Sequence, residues 1–261
     1  MKTIHLYHVE GIDGAGKTTF CKKLLDLLKR ERTLAGETVA DKVTKFPTAY
    51  PEKKFSSSEA IHGSIFYMQD FSNVVSRILD DEEACDHYVL DRSFISTSVY
   101  QGFDNDSWGF YQDYPTDAIY RFNNLGKSIL DFCIRLFTST KEGVTFQHHI
   151  FHIDVCPKIA YERLRGRISE TKVVSDYIDE LILSNINTGS LEDKNKAIKE
   201  LEILDSKYGE VIRKIRMFNY EIRGGNIFTI TKINVNGFTL DTNLSEVPSL
   251  ACLKYNPYIK R

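Results

Sequence analysis

Residues 11–18 read GIDGAGKT, and this stretch decides the fold class. It satisfies the pattern G-x-x-x-x-G-K-[ST], in which glycines let successive backbone N–H groups turn towards one phosphate. A short apolar run, Ile4 to Val9, precedes it, and a segment with helical periodicity, Thr18 to Glu31, follows it. Strand, glycine-rich turn and helix are the context that a phosphate-binding loop requires. We therefore expect an α/β fold whose first helix points its N-terminus at phosphate.

The side chains of this loop indicate ATP with Mg²⁺ as the ligand. We expect Lys17 to reach the β- and γ-phosphates and the Thr18 hydroxyl to bind Mg²⁺. A buried strand, Tyr88 to Asp91, ends in a carboxylate, which is a second candidate ligand for Mg²⁺. The alternative for Asp91 is a cap on the next helix. The residues expected to hold the ATP phosphates are Gly11, Gly14, Ala15, Gly16, Lys17, Thr18 and Thr19.

Strands and helices alternate along the rest of the chain. This alternation predicts a three-layer α/β/α P-loop fold with a mostly parallel sheet. We expect a single domain over residues 1–261, with a small lid at about 163–176 and an extension at 187–236 of no evident purpose. Predicted strands are Val39 to Phe46, Tyr88 to Asp91, His149 to Val155 and a period-two segment beginning at Ile227. Predicted helices are Ser57 to Asp80, one from about Ile95, Ala118 to Phe137, one opened by Pro157, Ser175 to Ile186, and Glu192 to Phe218.

The composition excludes several classes of protein. Hydrophobic residues make up 42% and charged residues 27%, as in ordinary globular proteins, and the formal net charge is −2. There is no overall positive field to hold nucleic acid. No apolar stretch approaches the roughly 20 residues of a membrane-spanning helix. The five cysteines show no CxxC spacing, and together with the polar N-terminus they indicate a reducing, cytoplasmic location.

Four blocks of sequence resemble the thymidylate kinase family of nucleoside-monophosphate kinases. Residues 10–19, EGIDGAGKTT, form the first block, and Phe46-Pro47 forms the second. Residues 91–102, DRSFISTSVYQG, are similar to the family's D-R-x-x-x-S-x-x-A-Y-Q-G. Residues 154–167 resemble the family's approach to its lid. The resemblance runs from residue 3 to about residue 180.

The resemblance implies transfer of the ATP γ-phosphate to a deoxynucleoside 5′-monophosphate, with dTMP as the first candidate, and it also implies a homodimer. Arg92 would donate two parallel hydrogen bonds to the acceptor phosphate, and Asp13 would bind the sugar 3′-hydroxyl. The resemblance places Tyr100 against the 2′ position and stacks Phe66 on the base. The expected substrate-binding residues are Asp13, Phe46, Phe66, Asp70, Arg92, Ser96, Tyr100 and Gln101.

Three arginines, Arg163, Arg165 and Arg167, crowd the predicted lid. Arg163 and Arg167 lie one helical turn apart, so both could close over ATP and meet transition-state charge. The alternative is a solvated basic helix end. Some members of the resembled family carry an arginine at the position of Gly14. Glycine here therefore implies that the lid supplies the catalytic arginine.

The chain departs from the family pattern at two places. No arginine follows Phe46-Pro47, and only Lys53 or Lys54 could replace it. Asp70 stands where the family carries an arginine that donates to the thymine 4-oxo group. A carboxylate can only accept, so Asp70 would suit an exocyclic amine or would face solvent.

Three other functions remain open. Deoxynucleoside kinases share the fold and an Asp/Glu-Arg-Ser block, but they place Glu-Pro after the second strand, where this chain has Phe46-Pro47. A broad-specificity kinase for deoxynucleoside monophosphates is the nearer alternative. A P-loop switch without kinase activity would need a basic surface or partner domain.

His148, His149 and His152 lack the further ligands of a metal site, so we expect ordinary strand histidines.

Overall fold

The computed structural model describes residues 2–48, 60–80, 85–102, 124–138, 143–174, 176–221 and 228–235. Five strands and seven helices lie within these residues. The strands are β1 (Lys2–Glu10), β2 (Thr44–Lys45), β3 (His87–Asp91), β4 (Val144–Asp154) and β5 (Phe228–Asn234). The helices are α1 (Lys17–Thr33), α2 (Ala60–Asp80), α3 (Phe94–Gln101), α4 (Asn124–Thr138), α5 (Pro157–Thr171), α6 (Tyr177–Thr188) and α7 (Leu191–Glu221).

The strands form one parallel sheet in the order β2-β3-β1-β4-β5. β1 lies at the centre, with Val9 paired to Asp91 of β3 and Glu10 paired to His152 of β4. Parallel strands end at the same edge of a sheet, so Glu10, Asp91 and Asp154 all lie at the carboxyl edge. The predicted α/β class is confirmed.

Helices cover both faces of the sheet. On one face, Phe20 of α1 packs against Phe151, with ring centroids 5.7 Å apart. On the other face, Phe94 of α3 contacts His8 and Phe228, with centroids 5.8 and 6.5 Å apart. Side chains alternate between the faces of a strand, which separates these two clusters. Three layers result, as the sequence predicted.

Two predicted strands have different lengths in the structure. Val39 makes only an isolated bridge to His87, and the chain bends at exposed Asp41 and Lys42 before Thr44–Lys45 pairs with β3. β4 begins at Val144 rather than His149, because Phe146 and His148 alternate inward beside β1. The start of the Ala118 helix and the expected turn at Asn236-Gly237 lie outside the described residues, as does the polar insertion at 105–115.

The strand histidines divide between the two faces. His148 hydrogen-bonds His8 at 2.9 Å on one face, and His149 lies 3.1 Å from His5 on the other. Burial lowers the pKa of His8 and His149 to about 3 each, so both are neutral at neutral pH. Among the described residues no group of three or more His, Cys, Asp or Glu side chains could hold a metal ion.

None of the described helices is both long and apolar enough to cross a membrane.

Phe94 tests the packing on the face of α3. It is completely buried, so Phe94→Ala should lower the free energy of unfolding by about 3–5 kcal/mol through lost burial and a residual cavity. Phe132 of α4 is 42% exposed and serves as the control, since Phe132→Ala should change this free energy by no more than about 0.5 kcal/mol. Urea denaturation measures both. Equal losses would contradict this packing.

Candidate active site

The loop between β1 and α1 has the backbone shape that its glycines permit. Gly11, Gly14 and Gly16 have φ values of 147°, 77° and 90°, which side chains rarely adopt. Gly16 is the N-cap of α1, and the helix begins at Lys17. The loop therefore joins the carboxyl edge of the sheet to a helix N-terminus, the arrangement that binds phosphate.

The side chain of Lys17, the first residue of α1, reaches back into this loop. Its Nζ donates to the carbonyls of Gly11 at 2.9 Å and Ile12 at 2.8 Å, and lies 3.6 Å from Asp13 Oδ1. Burial, together with the nearby charge of Arg92, lowers the pKa of Lys17 to about 8. The ammonium is still mostly protonated at neutral pH.

The two predicted Mg²⁺ ligands lie side by side. The Thr18 hydroxyl donates to Asp91 Oδ2 at 2.7 Å. Asp91 does not cap α3, because Ser93 is the N-cap and its Oγ accepts from the Ile95 backbone N–H. The alternative role for Asp91 is therefore wrong.

Arg92 follows directly after β3 and has a left-handed backbone, with φ 71°. Its Nη2 is ion-paired with Asp13, and its guanidinium carbon lies 5.6 Å from the centre of the Tyr100 ring. The Tyr100 hydroxyl donates to Asp13 Oδ2 at 3.0 Å. Burial alone would raise the pKa of Asp13, but Arg92 and Lys17 bring it well below its usual range. Asp13 is thus firmly ionised between two cations.

Glu10 is a site residue whose role the sequence reasoning missed. It is fully buried at the end of β1, and its two carboxylate oxygens accept from Ser93 Oγ and Ser96 Oγ, each at 2.7 Å. Burial raises its pKa to about 7, against the lowering effect of both serines. Its place immediately before the phosphate loop was the available signal.

The predicted base and sugar contacts of α3 have different surroundings. Ser96 is buried and its hydroxyl is bound to Glu10, whereas Tyr100 is 40% exposed and Gln101 is half-buried. Among these residues, the tyrosine and the glutamine are the ones the structure presents towards solvent.

Asp70 of α2 does not face solvent, so that alternative is wrong. It is 8% exposed and accepts from the Thr48 backbone N–H at 2.6 Å and from the Thr48 hydroxyl. The aspartate therefore ties the chain after β2 to α2. Phe46 packs beside it against Phe71, with centroids 5.4 Å apart, and Phe66 remains half-buried.

The arginines of α5 face different partners. Arg163 Nη1 lies 3.4 Å from the carbonyls of Gly14 and Ala15, against the phosphate loop. Arg167 Nη2 contacts both oxygens of buried Asp179, at 2.8 and 2.9 Å. Arg165 is half-exposed and lies 3.6 Å from Glu162. Arg165 and Arg167 are about equally exposed, at 50% and 48%, but Arg167 is paired with a buried carboxylate whereas the partner of Arg165 is exposed, as at a solvated basic helix end.

Gly14 lies directly beneath α5. A Cβ at this position would come within 2.5 Å of the Ala160 carbonyl oxygen and 3.0 Å of Leu164 Cγ. The loop therefore has no room for a side chain here, and Arg163 of α5 lies against its backbone.

The fold and the loop together define a P-loop protein, whose loop lies at the carboxyl edge of a parallel sheet. Residues 9–117 match the family model described as thymidylate kinase. The thymidylate kinases of two strains of Ureaplasma parvum serovar 3 are 24% identical over 176 residues, or 62% of this chain. The match covers 64% of the length of these relatives. Over these residues, the chain is therefore similar in sequence to thymidylate kinases.

Solved structures with a similar fold include deoxyadenosine kinase from M. mycoides. The form with bound dATP is 12% identical and has a TM-score of 0.47, and the alignment covers 94% of this chain and 97% of the deoxyadenosine kinase chain. The form with products dCMP and dCDP is 11% identical, with a TM-score of 0.42 and coverage of 94% and 96%.

Gly14→Ala tests the close approach of α5. Gly36 is the matched control, since it has φ 76° but nothing within 4 Å of an added Cβ. We expect Gly36→Ala to cost about 1–2 kcal/mol from backbone strain alone. Gly14→Ala should cost roughly 1–3 kcal/mol more, because the methyl group would displace α5. Equal losses of unfolding free energy in urea would contradict the contact.

Glu10→Gln tests the buried carboxyl group. Its pKa rises from 4.5 to about 7 on folding, so its stabilising contribution is complete below pH 4.5 and disappears as pH rises through 7. The unfolding free energy of the wild type should therefore fall relative to Glu10→Gln between pH 4.5 and 8, by up to about 3 kcal/mol. Urea titrations of both proteins at several pH values measure this difference. Parallel pH profiles would rule the raised pKa out.

Proposed function

We propose that this protein is a nucleoside-monophosphate kinase that transfers the γ-phosphate of ATP to a deoxynucleoside 5′-monophosphate, with dTMP as the preferred acceptor. The observation that carries the proposal is the convergence of Lys17, Arg92 and Arg163 on one phosphate-binding loop. The family match supports the same reaction class.

The donor end of the site would be the loop itself. Backbone N–H groups at the N-terminus of α1 would surround the β-phosphate, as the positive end of the helix favours. Lys17 would exchange the carbonyls of Gly11 and Ile12 for oxygens of the β- and γ-phosphates. The ammonium group of Lys17 would then be paired with anionic phosphate oxygens instead of neutral carbonyl oxygens.

The neighbouring Thr18 and Asp91 fit a magnesium ion. A hydroxyl and a carboxylate are the oxygen ligands that Mg²⁺ prefers, and here they are 2.7 Å apart at the end of the loop. When bound, the ion would neutralise charge between the phosphates.

Arg92 would hold the acceptor. Its guanidinium can donate two parallel hydrogen bonds to the 5′-phosphate. An oxygen of this phosphate would bond to the γ-phosphorus while the bond from that phosphorus to the β–γ bridging oxygen breaks, and ADP leaves. The attacking oxygen is already anionic, so no general base is required. Asp13, ionised beside Arg92, would accept from the sugar 3′-hydroxyl.

Arg163 is the arginine best placed for the transition state. It already lies against the loop backbone, where negative charge would build on the transferred oxygens. Arg167 lies one helical turn after Arg163 on α5 and is bound to Asp179 of α6. It would join Arg163 at the phosphates when α5 and α6 close over ATP. The cytoplasmic location and the homodimer are proposed from the family resemblance.

An ADP-release assay with dTMP, dCMP, dAMP, dGMP, dUMP, thymidine and deoxycytidine tests the function. We expect turnover of monophosphates, dTMP foremost, and Lys17→Ala should lower kcat by about 10²–10³ because a charge-stabilising donor is lost. Lys22→Ala is the control, since Lys22 is exposed on the same helix. Turnover of nucleosides alone would overturn the choice of acceptor, and full activity of Lys17→Ala would overturn the loop assignment.

A further inference from the structure

Helix α7 contributes one side chain to the site from far along the chain. Tyr208 lies outside residues 9–117, the part matched by the family model, and is fully buried. Its ring stacks on His152 of β4, with centroids 6.0 Å apart and planes 23° apart. Its hydroxyl lies 3.0 Å from Ser96 Oγ and accepts from Arg92 Nη1 at 3.2 Å.

The hydrogen bonds around Tyr208 have one direction when Glu10 at the end of the chain is ionised. A guanidinium can only donate and an ionised carboxylate can only accept. When Glu10 is ionised, the Ser96 proton goes to Glu10 Oε2 at 2.7 Å, and the Tyr208 hydroxyl then donates to Ser96 and accepts from Arg92. The result is a directed chain from Arg92 through Tyr208 and Ser96 to Glu10. Burial raises the pKa of Tyr208, so the hydroxyl keeps the proton that this chain needs.

The two ends of the Arg92 guanidinium have different anchors. Nη2 is paired with Asp13 of the loop, whereas Nη1 meets Tyr208 and lies 3.4 Å from Ser96. The Asp13 anchor belongs to the surface that would receive the acceptor. Tyr208 is fully buried whereas the Asp13 side chain is 23% exposed, so an acceptor that reaches Asp13 would leave the Tyr208 contact covered.

We propose that Tyr208 is a positioning residue that fixes the plane of the Arg92 guanidinium, and that α7 is thereby part of the acceptor site. The kinetic part of the test rests on the proposed function, because it needs turnover. The orientation of the Arg92 guanidinium can be measured whether or not the protein has the proposed function. This role gives the segment 187–236 a purpose that its sequence did not show.

Tyr208→Phe removes the hydroxyl and keeps the ring. Tyr7→Phe is the matched control: Tyr7 is 1% exposed, and its hydroxyl lies 3.0 Å from His87 Nδ1 at the start of β3, away from Arg92. With a turned-over acceptor, Tyr208→Phe should raise the acceptor KM and lower kcat, with kcat/KM reduced about tenfold or more and the ATP KM unchanged. Tyr7→Phe should change neither KM. Ser96→Ala interrupts the same chain and should act in the same direction as Tyr208→Phe.

A second measurement separates this proposal from the function. NMR of the arginine guanidinium groups, with Arg92 assigned by its loss in Arg92→Lys, reports rotation about the Nε–Cζ bond. Rotation should be slow in the wild type and Tyr7→Phe, and faster in Tyr208→Phe. If no acceptor is turned over, the proposed function fails while this result still stands. Unchanged rotation, or an unchanged acceptor kcat/KM in an active enzyme, overturns the positioning role.

Discussion

The parallel pairing of β1 with β3, with Val9 opposite Asp91, is the constraint on which the rest of the site depends. It makes two adjacent strands end at the same level. The residues that follow, Glu10 with the phosphate loop on one side and Arg92 on the other, therefore emerge together. A shift of this register by one residue would turn Asp91 away from Thr18 and bury the wrong set of side chains.

That constraint brings four ionisable side chains together, two of them buried and two half-buried, and their mutual pairing offsets the cost of removing them from water. Two carboxylates, Glu10 and Asp13, lie among two cations, Lys17 and Arg92. A buried charge without a partner would be strongly destabilising. The pairs do not have equal strength, because Asp13 is ion-paired directly whereas Glu10 is bound through serine hydroxyls. This difference keeps Asp13 ionised and leaves Glu10 close to titration at neutral pH.

The sequence was informative where the chemistry is local. Residues 11–16 form a loop because their glycines permit it, and Asp91 ends an apolar run, so both could be predicted. The contacts of Glu10, Asp179 and Tyr208 could not, since each joins residues distant in the chain or in different helices. The length of β4 was underestimated because polar Thr145, Gln147 and His148 interrupt the apolar run, although Phe146 and His148 are buried beside β1. The surroundings of Asp70 likewise depend on where Thr48 lies.

The contact between Gly14 and the Ala160 carbonyl limits how this protein could change by mutation. An arginine at position 14 would first require α5 to withdraw, and that movement would carry Arg163 off the loop. An arginine in the loop and an arginine on α5 are therefore mutually exclusive arrangements here. A lineage could pass from one to the other only through compensating substitutions along α5, because an arginine introduced at position 14 alone would break the contacts of Arg163 with the loop.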